Sequence, residues 1–127
     1  MKTLRNPMAL ARNHGSAGSG VEHWWAQRFS AILLVPLTVW LVWGLSVLAG
    51  ADHASASAWL AAPWNAAMAV LLVAASFYHA RLGMQVVIED YVHHRALEVA
   101  LQVLVAAAAL VGTVVGILSI LKVALSA

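Results

Sequence analysis

Three apolar stretches, each long enough to cross a lipid bilayer, nearly exhaust this 127-residue chain. They cover approximately residues 29–49, 64–88 and 96–122, with only short polar breaks between them. About 20 apolar residues carry a helix across the hydrocarbon core, and a spanning backbone must satisfy its own hydrogen bonds within the segment. The pattern therefore predicts an all-α integral membrane protein, a bundle of three transmembrane helices. No length remains for a water-soluble catalytic domain. Composition agrees, with 63% hydrophobic and only 9% charged residues, against roughly 25% charged in soluble domains.

The formal charge of +2 and a pI near 9.5 do not indicate a nucleic-acid partner, because the few cations are scattered and mostly flank the apolar stretches. The chain has no cysteine. Structural disulfides, thiolate-bound clusters and haem attached through cysteine are thereby excluded.

Residues 1–22 are polar and rich in glycine and serine, and are expected to form a flexible cytoplasmic arm ahead of an anchor domain over 23–127. No apolar core closely follows the first basic residues, so a cleaved signal peptide is not expected. An amphipathic approach follows at Val21 to Ser30, where Trp24 and Trp25 suit the headgroup boundary. Pro36 lies inside the first span and predicts a kink. The connection from Gly50 to Trp59 lacks lysine and arginine, and Pro63-Trp64 opens the second span. A polar turn from Glu89 to Arg95 leads to the third, which carries Gly112, Gly116 and Ser119 at spacings that permit close helix contact. Lys2, Arg5, Arg12 and Arg28 precede the first span and Arg95 follows the second, whereas only Lys122 lies at the opposite end. The positive-inside rule puts the N-terminus in the cytoplasm (or matrix, in a mitochondrion) and the C-terminus across the membrane, in the periplasm of a bacterial inner membrane.

The second span contains a histidine at membrane depth. His79 is costly there unless something pairs with it, so it reads either as a functional site or as a bundle residue hydrogen-bonded to a neighbouring helix. His79, Gly83, Val86 and Asp90 share one helical stripe. His79 and Asp90 are separated by about 16 Å along the axis. A ring nitrogen of His79 can ligate haem iron, and Gly83 offers no side chain to obstruct a flat macrocycle. Asp90 and Tyr91 then fall at the membrane boundary, where a quinone headgroup takes up protons from water. A phenol donates to a quinone carbonyl while a carboxylate orients it or relays protons. The plainer reading of Asp90-Tyr91 is an interfacial tyrosine beside a solvated acid.

Arg81 reads either as a snorkelling side chain or as the partner of a haem propionate. Arg28 with Ser30 poses a similar choice, between a topology signal and a contact to a propionate or quinone oxygen. His23, His93 and His94 lie in boundary segments and are expected to be solvated. His14 and His53 sit in polar stretches and carry no signal. The tryptophans at 24, 25, 40, 43, 59 and 64 are expected mostly as membrane-edge anchors.

The run His79-Ala80-Arg81-Leu82-Gly83-Met84-Gln85-Val86-Val87-Ile88-Glu89-Asp90-Tyr91-Val92-His93 closely resembles the core motif of the smaller membrane-anchor subunit of succinate dehydrogenase, respiratory complex II. His23-Trp24-Trp25-Ala26-Gln27-Arg28-Phe29-Ser30-Ala31 and Val35-Pro36-Leu37 resemble the start of the first helix in bacterial members. The likeness extends over nearly the whole chain and implies half of a heterodimeric, haem-containing anchor. It implies His79 as one axial ligand of haem b, with the second histidine on a companion anchor subunit. It implies that Tyr91 hydrogen-bonds the ubiquinone carbonyl with Asp90 beside it, and that Arg28 lies near the propionates and quinone pocket. Flavin (FAD) and iron–sulfur clusters belong to two soluble partners, a flavoprotein and an iron–sulfur subunit. The chain is then an enzyme subunit without turnover of its own. Three other readings stand beside this one: the anchor of a quinol:fumarate reductase, a haem-free structural anchor, and a small transporter or channel subunit. The last predicts polar residues lining more than one span.

Overall fold

The computed structural model describes residues 17–126, and these are helical apart from short links. Helix α1 spans Ala17–Val47, α2 His53–Ala61, α3 Pro63–Tyr91 and α4 Arg95–Ser126. The three long helices are each apolar and long enough to cross a membrane, and no strand occurs among the described residues. At 1.5 Å per residue, the 29 to 32 residues of these helices extend about 43–48 Å. They exceed the hydrocarbon thickness and project into the headgroup regions, which is why each outruns the apolar stretch that marks it in the sequence. The expected turn over 89–95 shrinks accordingly: α3 continues to Tyr91, where Val92 N–H donates to Ile88 O (2.9 Å). Only residues 92–94 link it to α4. At the start, α1 begins at Ala17 within the stretch expected as a flexible arm. Residues 1–16 of that arm lie outside the described residues.

Helix α1 runs on through Pro36, although proline removes one backbone donor. The next residue, Leu37, is the most buried side chain described, at 2% exposure, so packing holds the chain where the ladder is interrupted. Helix α2 was not expected in the connection. Asp52 caps it by accepting from the Ser55 N–H (2.9 Å), satisfying one of the donors that a helix start leaves open. The Ser55 side chain first, and this backbone bond second, hold the Asp52 carboxyl below its ordinary pKa. Gly50 supplies the positive φ of +80° ahead of the cap, and Asn65 Nδ2 donates to Trp59 O (2.8 Å), tying the start of α3 to α2.

Helix α3 is the central wall, with α1 and α4 packed on it and not on each other. On the α4 side, the Phe77 ring lies against Gly112 and Val73 against Gly116, so each glycine receives a side chain. Ser119 does not extend this contact. It is exposed, and its hydroxyl donates to Val115 O (2.7 Å). On the other side, Trp59 fits against Gly44 of α1 and stacks on Trp40 with centroids 5.5 Å apart. Trp40 and Trp59 are thus packing residues joining α1 to α2. Few apolar side chains are buried, namely Leu37, Ala75, Leu82 and Ile88. A chain of this hydrophobicity that covers so little of itself presents its outer faces to lipid or to partner helices.

Candidate functional site

His79 is half-buried on the face of α3 that meets α1. Its Nδ1 lies 2.9 Å from Ser30 Oγ. Ser30 is only 3% exposed, and its hydroxyl also reaches the Gln27 carbonyl at 3.0 Å. No hydrogen bond to His79 Nε2 occurs among the described residues. The ring borders an open lateral groove of about 460 Å³, lined otherwise by Ala31, Leu34, Val35, Thr38 and Val39. One nitrogen is therefore tethered while the ring borders an apolar recess.

The α1 wall of this site is a strip of polar side chains at helical spacing. His23, Gln27 and Ser30 fall four and then three residues apart, so they share the face turned to α3. Gln27 packs over Gly83, its Nε2 lying 3.7 Å from where a glycine-to-alanine methyl would stand. Gln27 Oε1 and His23 Nε2 are both buried without a hydrogen-bond partner. Gln27 escaped the sequence reading, and His23 is not the solvated boundary residue expected. The missed signal is the spacing: polar positions 23, 27 and 30 continue into Leu34, Leu37 and Gly44 as one inward seam.

Of the residues singled out in the sequence, the structure brings together His79, Ser30 and, through Gln27, Gly83. Ser30 was considered as a contact to a propionate or quinone oxygen; its hydroxyl is already engaged by His79 and Gln27. Asp90 and Tyr91 end α3 and are exposed, Tyr91 by 78%, with no hydrogen bond to either side chain among the described residues. Arg28 is exposed, with its guanidinium 5.4 Å from the Trp24 ring centroid. Arg81 reads in the sequence as either a snorkelling side chain or a propionate partner. It lies about 200° around the helix from His79 and lines the recesses between α3 and α4 with Gln85, Gln102, Phe77 and Ala109. Nearby, Glu89 Oε1 accepts from Gln85 (2.9 Å) and Gln102 (3.4 Å), joining the two helices near the 92–94 link.

A three-span helical membrane protein with a tethered histidine on its central helix is the class that fold and site define. Residues 2–117 match the family described as succinate dehydrogenase/fumarate reductase transmembrane subunit, and the chain belongs to that family. It is 40% identical over 96 residues to the succinate dehydrogenase hydrophobic membrane anchor subunit of Rickettsia conorii, covering 75% of this chain and 76% of that protein. The same-named protein of Rickettsia bellii is 42% identical over 89 residues, 70% and 71% of the two chains. The succinate dehydrogenase membrane anchor subunit of Reclinomonas americana is 36% identical over 78 residues, 59% and 65%.

Proposed function

We propose that this chain is the hydrophobic anchor of a succinate:ubiquinone oxidoreductase, contributing His79 to haem b and Asp90-Tyr91 to the quinone-reduction site. Family membership and the similarity to anchor subunits support the first part. One observation supports the haem: His79 has Nδ1 tethered to Ser30 and borders a mostly apolar groove, while no other group among the described residues bonds Nε2. Metal-ligating histidines commonly carry such an outer hydrogen bond. Among the described residues no three His, Cys, Asp or Glu side chains converge to hold a metal; His79 would be this chain's residue holding a haem, with a companion anchor subunit supplying the other histidine. Haem b, when bound, supplies a one-electron store beside the quinone.

Exposure of Asp90 and Tyr91 at the end of α3 supports a site completed by partners. There the Tyr91 phenol donates to a quinone carbonyl, and the Asp90 carboxylate accepts or relays a proton from the aqueous side. Arg28, at the same membrane boundary, attracts an anionic or carbonyl oxygen. The soluble flavoprotein and iron–sulfur subunit carry FAD and the clusters. By the positive-inside rule they dock on the side of the N-terminus and the 92–94 link, the cytoplasmic face of a bacterial inner membrane. The family description also covers fumarate reductase, which runs the same chemistry in reverse.

Purification of the assembled complex tests the reading. The expected result is a flavoprotein, an iron–sulfur protein and a second histidine-bearing anchor, with haem b and co-extracted ubiquinone. Menaquinone in place of ubiquinone would favour the fumarate reductase reading. A complex devoid of haem would leave a structural anchor.

A further inference from the structure

Ser30 carries a single hydroxyl proton between two neighbours, Gln27 O at 3.0 Å and His79 Nδ1 at 2.9 Å. A carbonyl oxygen only accepts, so the contact with Gln27 uses that proton. The contact with His79 must then draw its proton from the ring, with Nδ1–H donating to Ser30 Oγ. In the opposite tautomer, lone pairs on Oγ and Nδ1 would face each other, or the hydroxyl would abandon Gln27. That form would also leave an Nε2–H on a ring bordering a groove of Ala31, Leu34, Val35, Thr38 and Val39, with no hydrogen bond to Nε2 among the described residues. Only the Nδ1–H form satisfies both Ser30 contacts and leaves a lone pair on Nε2.

We infer that Ser30 is a positioning residue that holds His79 in the Nδ1–H tautomer and so selects Nε2 as the iron-binding nitrogen. The assignment of iron rests on the haem reading above, whereas the tautomer rests on the hydrogen bonds alone. Ser30 is suited to this work because it is buried at 3% exposure, where water does not compete for its lone pairs. By accepting the Nδ1 proton it also makes the ring a stronger donor to iron, which favours the ferric state.

Two measurements test this. In wild-type complex assembled without haem, 15N spectra of labelled His79 should show a protonated Nδ1 and a bare Nε2; a protonated Nε2 would overturn the inference. In the haem-loaded complex, Ser30→Ala should loosen haem retention about 10- to 100-fold and shift the midpoint potential positive. Ser30→Thr, which keeps the hydroxyl, should restore both. Retention and potential unchanged in Ser30→Ala would equally overturn it. A His79→Ala complex that keeps its haem would defeat the haem reading instead, and the 15N result would then decide the tautomer alone. Should Ser30→Ala fail to assemble, the wild-type spectrum and the threonine variant still decide.

Discussion

The ring of Phe77 on α3 lies directly against Gly112 on α4, where any β-carbon would overlap it. Gly112→Ala therefore forces the ring or the helix aside. Overpacking of this kind costs about 1–3 kcal/mol, so the variant should unfold earlier than wild type in detergent. An unchanged melting curve would show that the two helices are not in this register.

Gly83 offers the contrasting case. A methyl there meets only Gln27 Nε2 at 3.7 Å, an ordinary contact, and alanine favours a helix over glycine by roughly 1 kcal/mol. Gly83→Ala should leave the melting temperature equal or higher. If the macrocycle lies over Gly83 in the complex, the same variant should lower haem content. Stability and haem content measured on one preparation separate the two effects.

Tyr91 is exposed at the end of α3, so Tyr91→Phe should leave folding and assembly intact. If the phenol serves the quinone site as proposed, its loss should lower succinate:ubiquinone activity by roughly 2- to 10-fold, the loss of one neutral hydrogen bond worth about 0.5–1.5 kcal/mol. Electron transfer to a soluble dye, which bypasses the quinone, should be unaffected. Equal losses in both assays would point to damaged assembly.

Asp52 provides a pH dependence outside the membrane. Its carboxyl is held below the ordinary value of 3.8 by the Ser55 side chain and, second, by the Ser55 backbone N–H. A depressed folded pKa stabilises the α2 cap fully above that ordinary value, and the contribution disappears as pH falls through the lower folded value. Protection of the Ser55 amide against hydrogen exchange, measured relative to its intrinsic rate at each pH, should hold at neutral pH and fall only below about pH 4. Asp52→Asn should flatten this dependence while keeping an acceptor at the cap.

The three spans were legible because lipid imposes a crude requirement, length and apolarity, which residues 29–49, 64–88 and 96–122 meet openly. Their ends were not, since backbone hydrogen bonding continues past the hydrocarbon through polar residues such as Glu89 and Asp90. Helix α2 was hidden by serine and glycine nearby, although Asp52 before an alanine-rich run is a helix-start signal. His79 stood out as an ionisable group at membrane depth. Its tether to Ser30 joins positions 49 residues apart, and no local pattern announces a pairing between helices. Arg81 stood between two readings in the sequence, and only the packing of α3 on α4 shows that it lines the recesses there, because two residues along a helix turn a side chain to the opposite face.

The most direct test of the account is the reduced-minus-oxidised absorbance spectrum of the assembled complex carrying His79→Ala. The account predicts that the α-band of haem b present in wild type is lost while the anchor still assembles with its partners. An α-band of wild-type intensity in that variant would contradict it.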